Sequence, residues 1–365
     1  MPARHTFGES ADTTRGADDL RAMALPIDRD PGDTSGYADS VGMQLLRHAS
    51  LPAPGNDEAK LQGCVGHSIL VTALAYGDAG GVLAAPGPSL AGVVVDLLGA
   101  PQQRDTFYAA LSDPAAHSFC GITEPRHGSD AMGMEARLTA TDGGYLLNGE
   151  KRYIGNGARG KIGVVFARTG LSPLTIRAIL LDPAASGVQR TPIDTVGLRG
   201  AQIAQLTFSD VFVPSHAVLG QHLPVTRRGV WGAVQAFNIM RTQVAALAIG
   251  TSAAIVDLVA AAKPALDVAF HRARIDAGYA LMLRGAEQAD QDPAVSHLAS
   301  LAKLHAVELC RDLSEWAIES LGPSSLLEHP LLEKWWRDAY GFEFMEGVSN
   351  VQRIHIAQEF AQRCA

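Results

Sequence analysis

Apolar residues recur every third or fourth position from Tyr37 to about Ala116, the spacing of helices with one buried face. One such stretch runs Ser68-Ile69-Leu70-Val71 and continues through Leu74, Ala75 and Tyr76. Another, Leu90 to Leu98, stops at Gly99-Ala100-Pro101, where Gly caps the helix and Pro forbids its continuation. At Phe119 the period changes. Short alternating runs follow to about Gly220: residues 136–140, 145–147, 163–166, 176–180 and 206–208. Asn148-Gly149, between two such runs, predicts a hairpin turn, because both positions accept positive φ. After Trp231 the helical period returns in four long segments: Arg241–Ala262, Ala265–Ala289, His297–Leu321 and Trp336–Ala361.

Strands segregated from helices define an α+β chain and exclude a doubly wound parallel sheet. The expected organisation is a polar tail over residues 1–36 and an N-terminal helical domain over 37–118. A central antiparallel β-domain over 119–225 and a C-terminal four-helix bundle over 226–365 complete it. The tail, rich in Asp, Gly and Arg with little periodicity, reads as mobile or loosely docked.

Composition narrows the function classes. Of 365 residues, 47% are hydrophobic and 19% charged, which suits a large core and argues against wholesale disorder. A net charge of −8 weighs against a nucleic-acid scaffold or a membrane-surface binder. Cys64, Cys120, Cys310 and Cys364 lack C-x-x-C spacing and read as reduced thiols. The most apolar stretch is read as Ala79 to Val95, which Pro86-Gly87-Pro88 interrupts, so it cannot cross a bilayer as one helix. No basic segment followed by an apolar one opens the chain, and a cytoplasmic location is expected.

Gly155-Asn156-Gly157-Ala158-Arg159-Gly160 matches G-x-G-x-x-G, but a strand (Lys161 to Arg168) rather than a helix is expected after it, so the dinucleotide-turn reading fails. H-E-x-x-H, G-x-S-x-G and P-loop patterns are absent, and the twelve histidines show no metal-ligand spacing. Two segments stand out. One is Thr123-Glu124-Pro125-Arg126-His127-Gly128-Ser129-Asp130. The other is Arg337-Asp338-Ala339 followed by Met345-Glu346-Gly347, where a carboxylate meets a Gly that permits a sharp turn and close ligand approach.

Together these segments resemble the acyl-CoA dehydrogenase family, from about Leu74 to Phe360. Ala73-Leu74-Ala75-Tyr76-Gly77-Asp78-Ala79 is similar to a helical segment of that family's N-terminal domain. Thr123 to Asp130 carries its T-E-P-x-x-G-S-D signature. Asn148-Gly149-Glu150-Lys151-Arg152-Tyr153-Ile154 is similar to its N-G-x-K-x-W-I-T-N run. Gly197-Leu198-Arg199-Gly200 and Phe208-Ser209-Asp210-Val211-Phe212-Val213-Pro214 resemble the end of its β-domain. Arg241 falls where the family keeps an arginine, and Glu346 lies in the R-D-A…E-G register.

The resemblance implies a flavoprotein oxidoreductase that forms a homo-oligomer, dimer or tetramer. Its substrate would be an acyl thioester of CoA or of an acyl carrier protein, desaturated between the α and β carbons. Glu346 would be the base, supported by Arg241 and Gly347. FAD would be held around Ile122, Thr123, Gly128, Ser129, Tyr153, Ile154 and Gly155. Four departures converge on that cofactor. The R-x-x-F-G loop after the first bundle helix is missing near Ala262-Lys263-Pro264. Q-x-x-G-G-x-G reads Glu319-Ser320-Leu321-Gly322-Pro323-Ser324-Ser325. The Thr after E-G is Val348, and W-I-T is Tyr153-Ile154-Gly155. Two alternatives to the dehydrogenase therefore stand open: a homologue with weakened or no FAD doing isomerisation, elimination or cyclisation α to a thioester, and a non-catalytic partner subunit.

Overall fold

The computed structural model describes residues 5–7, 10–32, 35–51 and 63–364. These fall into two compact units, one built from Met1–Ala85, Val196–Gly200 and Phe237–Ala365, the other from Pro86–Thr195 and Ala201–Ala236.

The first unit is helical. Helix α1 (Ala11–Arg29) lies within the stretch read as a polar tail. Ser10 caps it by accepting from the Thr13 N–H, and Ala17, Leu20, Ala24 and Ile27 form a buried stripe at helical spacing. Half of that stripe is Ala and it is flanked by charge, so the segment's polarity concealed it. Helix α1 packs on α2 (Val41–Ser50) and α3 (Gly63–Ala84). A Cβ at Gly77 would lie 2.0 Å from the Ala17 carbonyl oxygen, so only Gly allows α1 and α3 this close. Helix α3 breaks at Asp78, whose backbone is extended and whose carboxylate caps the following turn by accepting from the Gly81 N–H at 2.7 Å.

The second unit begins with α4 (Ser89–Leu98) and α5 (Pro101–Ala110). Both belong with the sheet because the chain around Gly87 is zipped to residues 116–118: the Gly87 N–H donates to Ala116 O, and the Ser118 hydroxyl donates to Pro88 O at 2.6 Å. The strands are β1 (Ser118–Gly121), β2 (Arg137–Thr141), β3 (Gly144–Ile154), β4 (Ile162–Arg168), β5 (Ile176–Leu181), β6 (Val188–Pro192) and β7 (Ala204–Pro214). Their order is β1-β4-β2-β3-β7-β6, with β5 also paired to β4. The sheet is mainly antiparallel, but β1 pairs with β4 in parallel and β2 meets β4 in parallel at one position.

The β2–β3 turn falls at Asp142-Gly143, not at Asn148-Gly149. Gly149 instead uses its positive φ (132°) inside β3, at a bulge opposite β7. There Asn148 exchanges two 2.9 Å hydrogen bonds with Asp210, its amide donating to the carboxylate and its carbonyl accepting from the Asp210 N–H.

Helix α6 (Val230–Ala262) begins well before Arg241. Val225–Ala262, not 79–95, is the stretch among the described residues long and apolar enough to cross a membrane, yet 83% of its most apolar window is buried inside the fold, as in a core helix. Helices α7 (Ala269–Gln291) and α8 (His297–Leu321) follow, then the short α9 (Ser325–Glu328). The fourth bundle helix is two helices, α10 (Pro330–Gly341) and α11 (Ser349–Cys364), separated at residues 342–348. The break has a local cause: Glu346 and Gly347 both adopt positive φ, at 49° and 95°. Cys64, Cys120 and Cys310 are free thiols, and the Cys364 side chain lies outside the described residues.

Candidate active site

The break between α10 and α11 is held from three helices. Arg241 on α6 donates from Nε to the Glu346 carbonyl at 3.1 Å. Gln352 on α11 donates to the carbonyls of Glu346 (3.1 Å) and Gly347 (2.7 Å). Lys303 on α8 donates to the carbonyls of Glu343 (2.9 Å) and Gly347 (2.8 Å). A left-handed non-glycine residue costs on the order of 1–2 kcal/mol, and these bonds to its own and the next carbonyl offset that strain. The Glu343 carboxylate is consumed locally, accepting from the Ser349 N–H (2.8 Å) and hydroxyl (2.6 Å) to cap α11.

The Glu346 carboxylate is different. Among the described residues, no hydrogen bond or ion pair reaches it, and the residue is half-buried rather than sealed. Desolvation pushes its proton affinity above that of an ordinary carboxylate, while Lys303 and Arg241 pull in the opposite direction. Both cations are buried: burial lowers Lys303 to about 8 and Arg241 to about 10. The site residues Glu346, Arg241 and Gly347 are thus brought together, whereas Lys303 and Gln352 escaped sequence reading. A signal for Lys303 existed. It shares a helical stripe with Ala299, Ala302, Ala306 and Cys310, all buried.

Arg337 and Asp338, the other half of this signature, build scaffold. Arg337 pairs with Asp28 (2.7 Å) and Glu333 (2.7 Å). Asp338 accepts from the Leu198 N–H at 2.5 Å and shares Lys334 with Asp78, each carboxylate at 2.6 Å. Trp335 Nε1 adds a 3.2 Å bond to Asp78, so this cluster ties α3, α10 and the 196–200 loop together.

In the sheet unit, Glu124 of the T-E-P segment is buried and meets Lys151 of the N-G-x-K run at 2.7 Å. It also accepts from the N–H groups of Glu135 (2.5 Å) and Ala136 (2.9 Å), while Lys151 donates to Ile122 O at 2.9 Å. Burial raises the Glu124 proton affinity, but Lys151 and the two amides outweigh it and hold the carboxyl below its ordinary range. The Arg152 N–H bonds Thr123 O at 2.8 Å, fixing the segment beside β3.

Around this scaffold, the residues read as cofactor-binding divide by burial. Ile122 and Ile154 are buried; Gly128 and Ser129 are exposed. Tyr153 takes positive φ (61°) and is a residue 59% exposed, with the Arg152 guanidinium 5.2 Å from its ring centroid. A Cβ at Gly155 would meet nothing within 4 Å, and one at Gly128 only Thr123 Cγ2 at 3.9 Å. The protein's own packing does not require glycine there, so the open space is compatible with a flat ligand.

In the helical unit, the segment that departs from Q-x-x-G-G-x-G closes α8 with Gly322 at φ 104°. The Ser325 hydroxyl there is buried without a partner among the described residues. Residues 263–268 form the whole connection between α6 and α7, so α7 starts four residues after its expected start at Ala265.

A mainly antiparallel sheet unit and a helical unit define an α+β architecture, and Glu346, without a partner on its carboxylate among the described residues, lies in the helical unit with the buried Lys303 and Arg241. Residues 120–211 match the acyl-CoA dehydrogenase middle domain and residues 227–361 the acyl-CoA dehydrogenase C-terminal domain. The chain belongs to the acyl-CoA dehydrogenase family, a family of FAD-dependent oxidoreductases. It is 31% identical over 315 residues to the "Probable medium-chain specific acyl-CoA dehydrogenase 2, mitochondrial" of Caenorhabditis briggsae, covering 80% of this chain and 74% of that one. Its fold is similar to that of butyryl-CoA dehydrogenase from Megasphaera elsdenii, with TM-score 0.83, 22% identity, and 98% and 100% of the two chains covered. It is also similar to that of the prolyl acyl carrier protein oxidase AnaB, with TM-score 0.83, 20% identity, and 97% and 100% covered.

Proposed function

We propose that this chain is an acyl thioester dehydrogenase in which Glu346 removes the α-proton of the acyl group and the β-hydrogen leaves with its electron pair, giving an α,β-unsaturated thioester. The observation that carries this reading is the Glu346 carboxylate, whose oxygens accept no hydrogen bond and join no ion pair among the described residues. Its raised proton affinity moves it toward the range a general base needs. The Glu346 N–H donates no hydrogen bond among the described residues, so it is free to meet the thioester oxygen as negative charge develops there.

FAD, when bound, supplies the hydride acceptor. The open space at Gly128 and Gly155 and the exposed Tyr153 fit a flat ring system. The backbone around Ile122, Thr123, Ser129 and Ile154 would hold it, on the scaffold that Glu124 and Lys151 brace. Both CoA and carrier-protein thioesters are retained as substrates, since one structural neighbour is named for an acyl carrier protein. A homo-oligomer is part of the proposal.

The short 263–268 connection and Glu319, a carboxylate where the family places a glutamine, favour a second reading. In it Glu346 performs the same proton abstraction without flavin, in an isomerisation, elimination or cyclisation.

One experiment separates the two. Purified protein is incubated with FAD, its visible spectrum recorded, and acyl-CoA thioesters are added without oxygen. Loss of the flavin band with a product two mass units lighter supports the dehydrogenase. Conversion of a thioester by protein that takes up no FAD supports the second reading. Conversion by Glu346→Gln at the parental rate overturns both.

A further inference from the structure

Lys303 is fully buried on α8, yet no carboxylate lies within ion-pair distance of its Nζ among the described residues. Its two partners are carbonyl oxygens, of Glu343 and Gly347, and these carry no net charge. Burying an ammonium is unfavourable unless an anion compensates it. Two carboxylates lie in its field, Glu343 and Glu346. Glu343 also accepts from the Ser349 N–H and hydroxyl, neutral donors that leave its charge in place. The compensation is therefore shared, and Glu346 is the one of the two whose left-handed backbone Lys303 grips on both sides, at the carbonyls of residues 343 and 347.

We propose that Lys303 is a positioning residue for Glu346: its hydrogen bonds lock the turn that presents the carboxylate, and its charge keeps that carboxylate ionised until substrate arrives. This rests on the reading of Glu346 as the base. The other groups facing the turn do not replace Lys303. Arg241 from α6 is buried against the Glu346 carbonyl and adds a second positive charge. Gln352 from α11 is neutral. His355 from α11 is held neutral at pH 7, since burial and Arg241 push it down to about 4. Glu343 contributes a negative charge that acts on Lys303 as well, so the coupling is read at the Glu346 carboxyl itself.

The test is an infrared titration of the full-length protein, following the protonated carboxyl band that Glu346→Gln removes. Lys303→Gln keeps a donor for the carbonyls but deletes the charge, and is expected to raise the Glu346 midpoint by about one pH unit, a tenfold gain in proton affinity. Lys303→Arg restores the charge and is expected to return the midpoint to within about 0.3 units of the parent. An unmoved midpoint in Lys303→Gln overturns the proposal.

Should Lys303→Gln fail to fold, the coupling is read from the other side, because it is reciprocal. Glu346→Gln then lowers the Lys303 ammonium midpoint, seen by nitrogen NMR of labelled lysine; no change there overturns the proposal equally. Parental turnover in Glu346→Gln alongside either shift would refute the base and leave the coupling standing, so the two failures are distinguishable.

Discussion

Glu124 and Glu346 sit in the two signature segments of this chain, and the fold treats them oppositely. Glu124 is sealed, with a lysine ammonium and two backbone amides on its oxygens. Glu346 is half-buried, with its oxygens unbonded and its neighbouring cations bonded to carbonyls instead. One carboxylate is finished as structure, and its proton affinity is lowered. The other is left unfinished, and its proton affinity is raised. A motif glutamate is therefore not a chemical residue by virtue of its motif. The difference lies in whether the protein has already satisfied it.

Breaking the sealed pair should produce the largest loss of stability. Lys151→Met removes one partner and leaves a buried carboxylate uncompensated, a change that costs about 3–5 kcal/mol. Urea unfolding of the sheet unit, followed by hydrogen exchange at β3 and β7, is expected to show it. The pair also predicts a pH dependence. The folded proton affinity of Glu124 lies below its ordinary value near 4.5. Its contribution is thus present above that value and lost as pH falls through the folded value. The urea midpoint of the parent should fall below about pH 5, and Lys151→Met should flatten that fall. A variant as stable as the parent at pH 7 would remove the contrast between the two glutamates.

The order of elements was readable because helical and alternating periods are local. What stayed hidden depended on residues far apart in the chain. The Glu124–Lys151 pair joins two motifs that each read as cofactor lining, and only the pairing of strands brings them together. Glu346 itself was legible through the Glu-Gly pair and its register with Arg337. The break that exposes it was not, since Trp336 to Ala361 keeps a helical period through a left-handed turn. Helix α1 was missed because its few large apolar residues, Leu20, Met23 and Ile27, are interspersed with small and charged ones. Asn148-Gly149 was misplaced because positive φ serves a bulge as well as it serves a turn.

That bulge offers a smaller perturbation of the scaffold. A Cβ at Gly149 would lie 2.7 Å from Ala136 Cα, and the φ of 132° is one that side-chain-bearing residues avoid. Gly149→Ala is expected to cost about 1–3 kcal/mol, as overpacking does. Ala136 follows Glu135 in the segment whose amides bind Glu124, so hydrogen exchange at those two amides should rise as well. Exchange unchanged at Glu135 and Ala136 would separate the bulge from the sealed pair.

The smallest effect belongs to Glu343, which places both kinds of carboxylate within one loop. It lies three residues before Glu346 and, like Glu124, is satisfied, accepting from the Ser349 N–H and hydroxyl. Glu343→Gln retains an acceptor at the start of α11 and loses the charge assistance, at a cost of about 1 kcal/mol. Its thermal midpoint should fall slightly while thioester turnover stays within about tenfold of the parent. Glu346→Gln should show the inverse pattern, with turnover reduced about 10²–10⁴-fold, the range a general base contributes. If Glu343→Gln abolished turnover as completely as Glu346→Gln, partner satisfaction would not be what distinguishes the catalytic carboxylate, and the base would have to be sought among both glutamates of the loop.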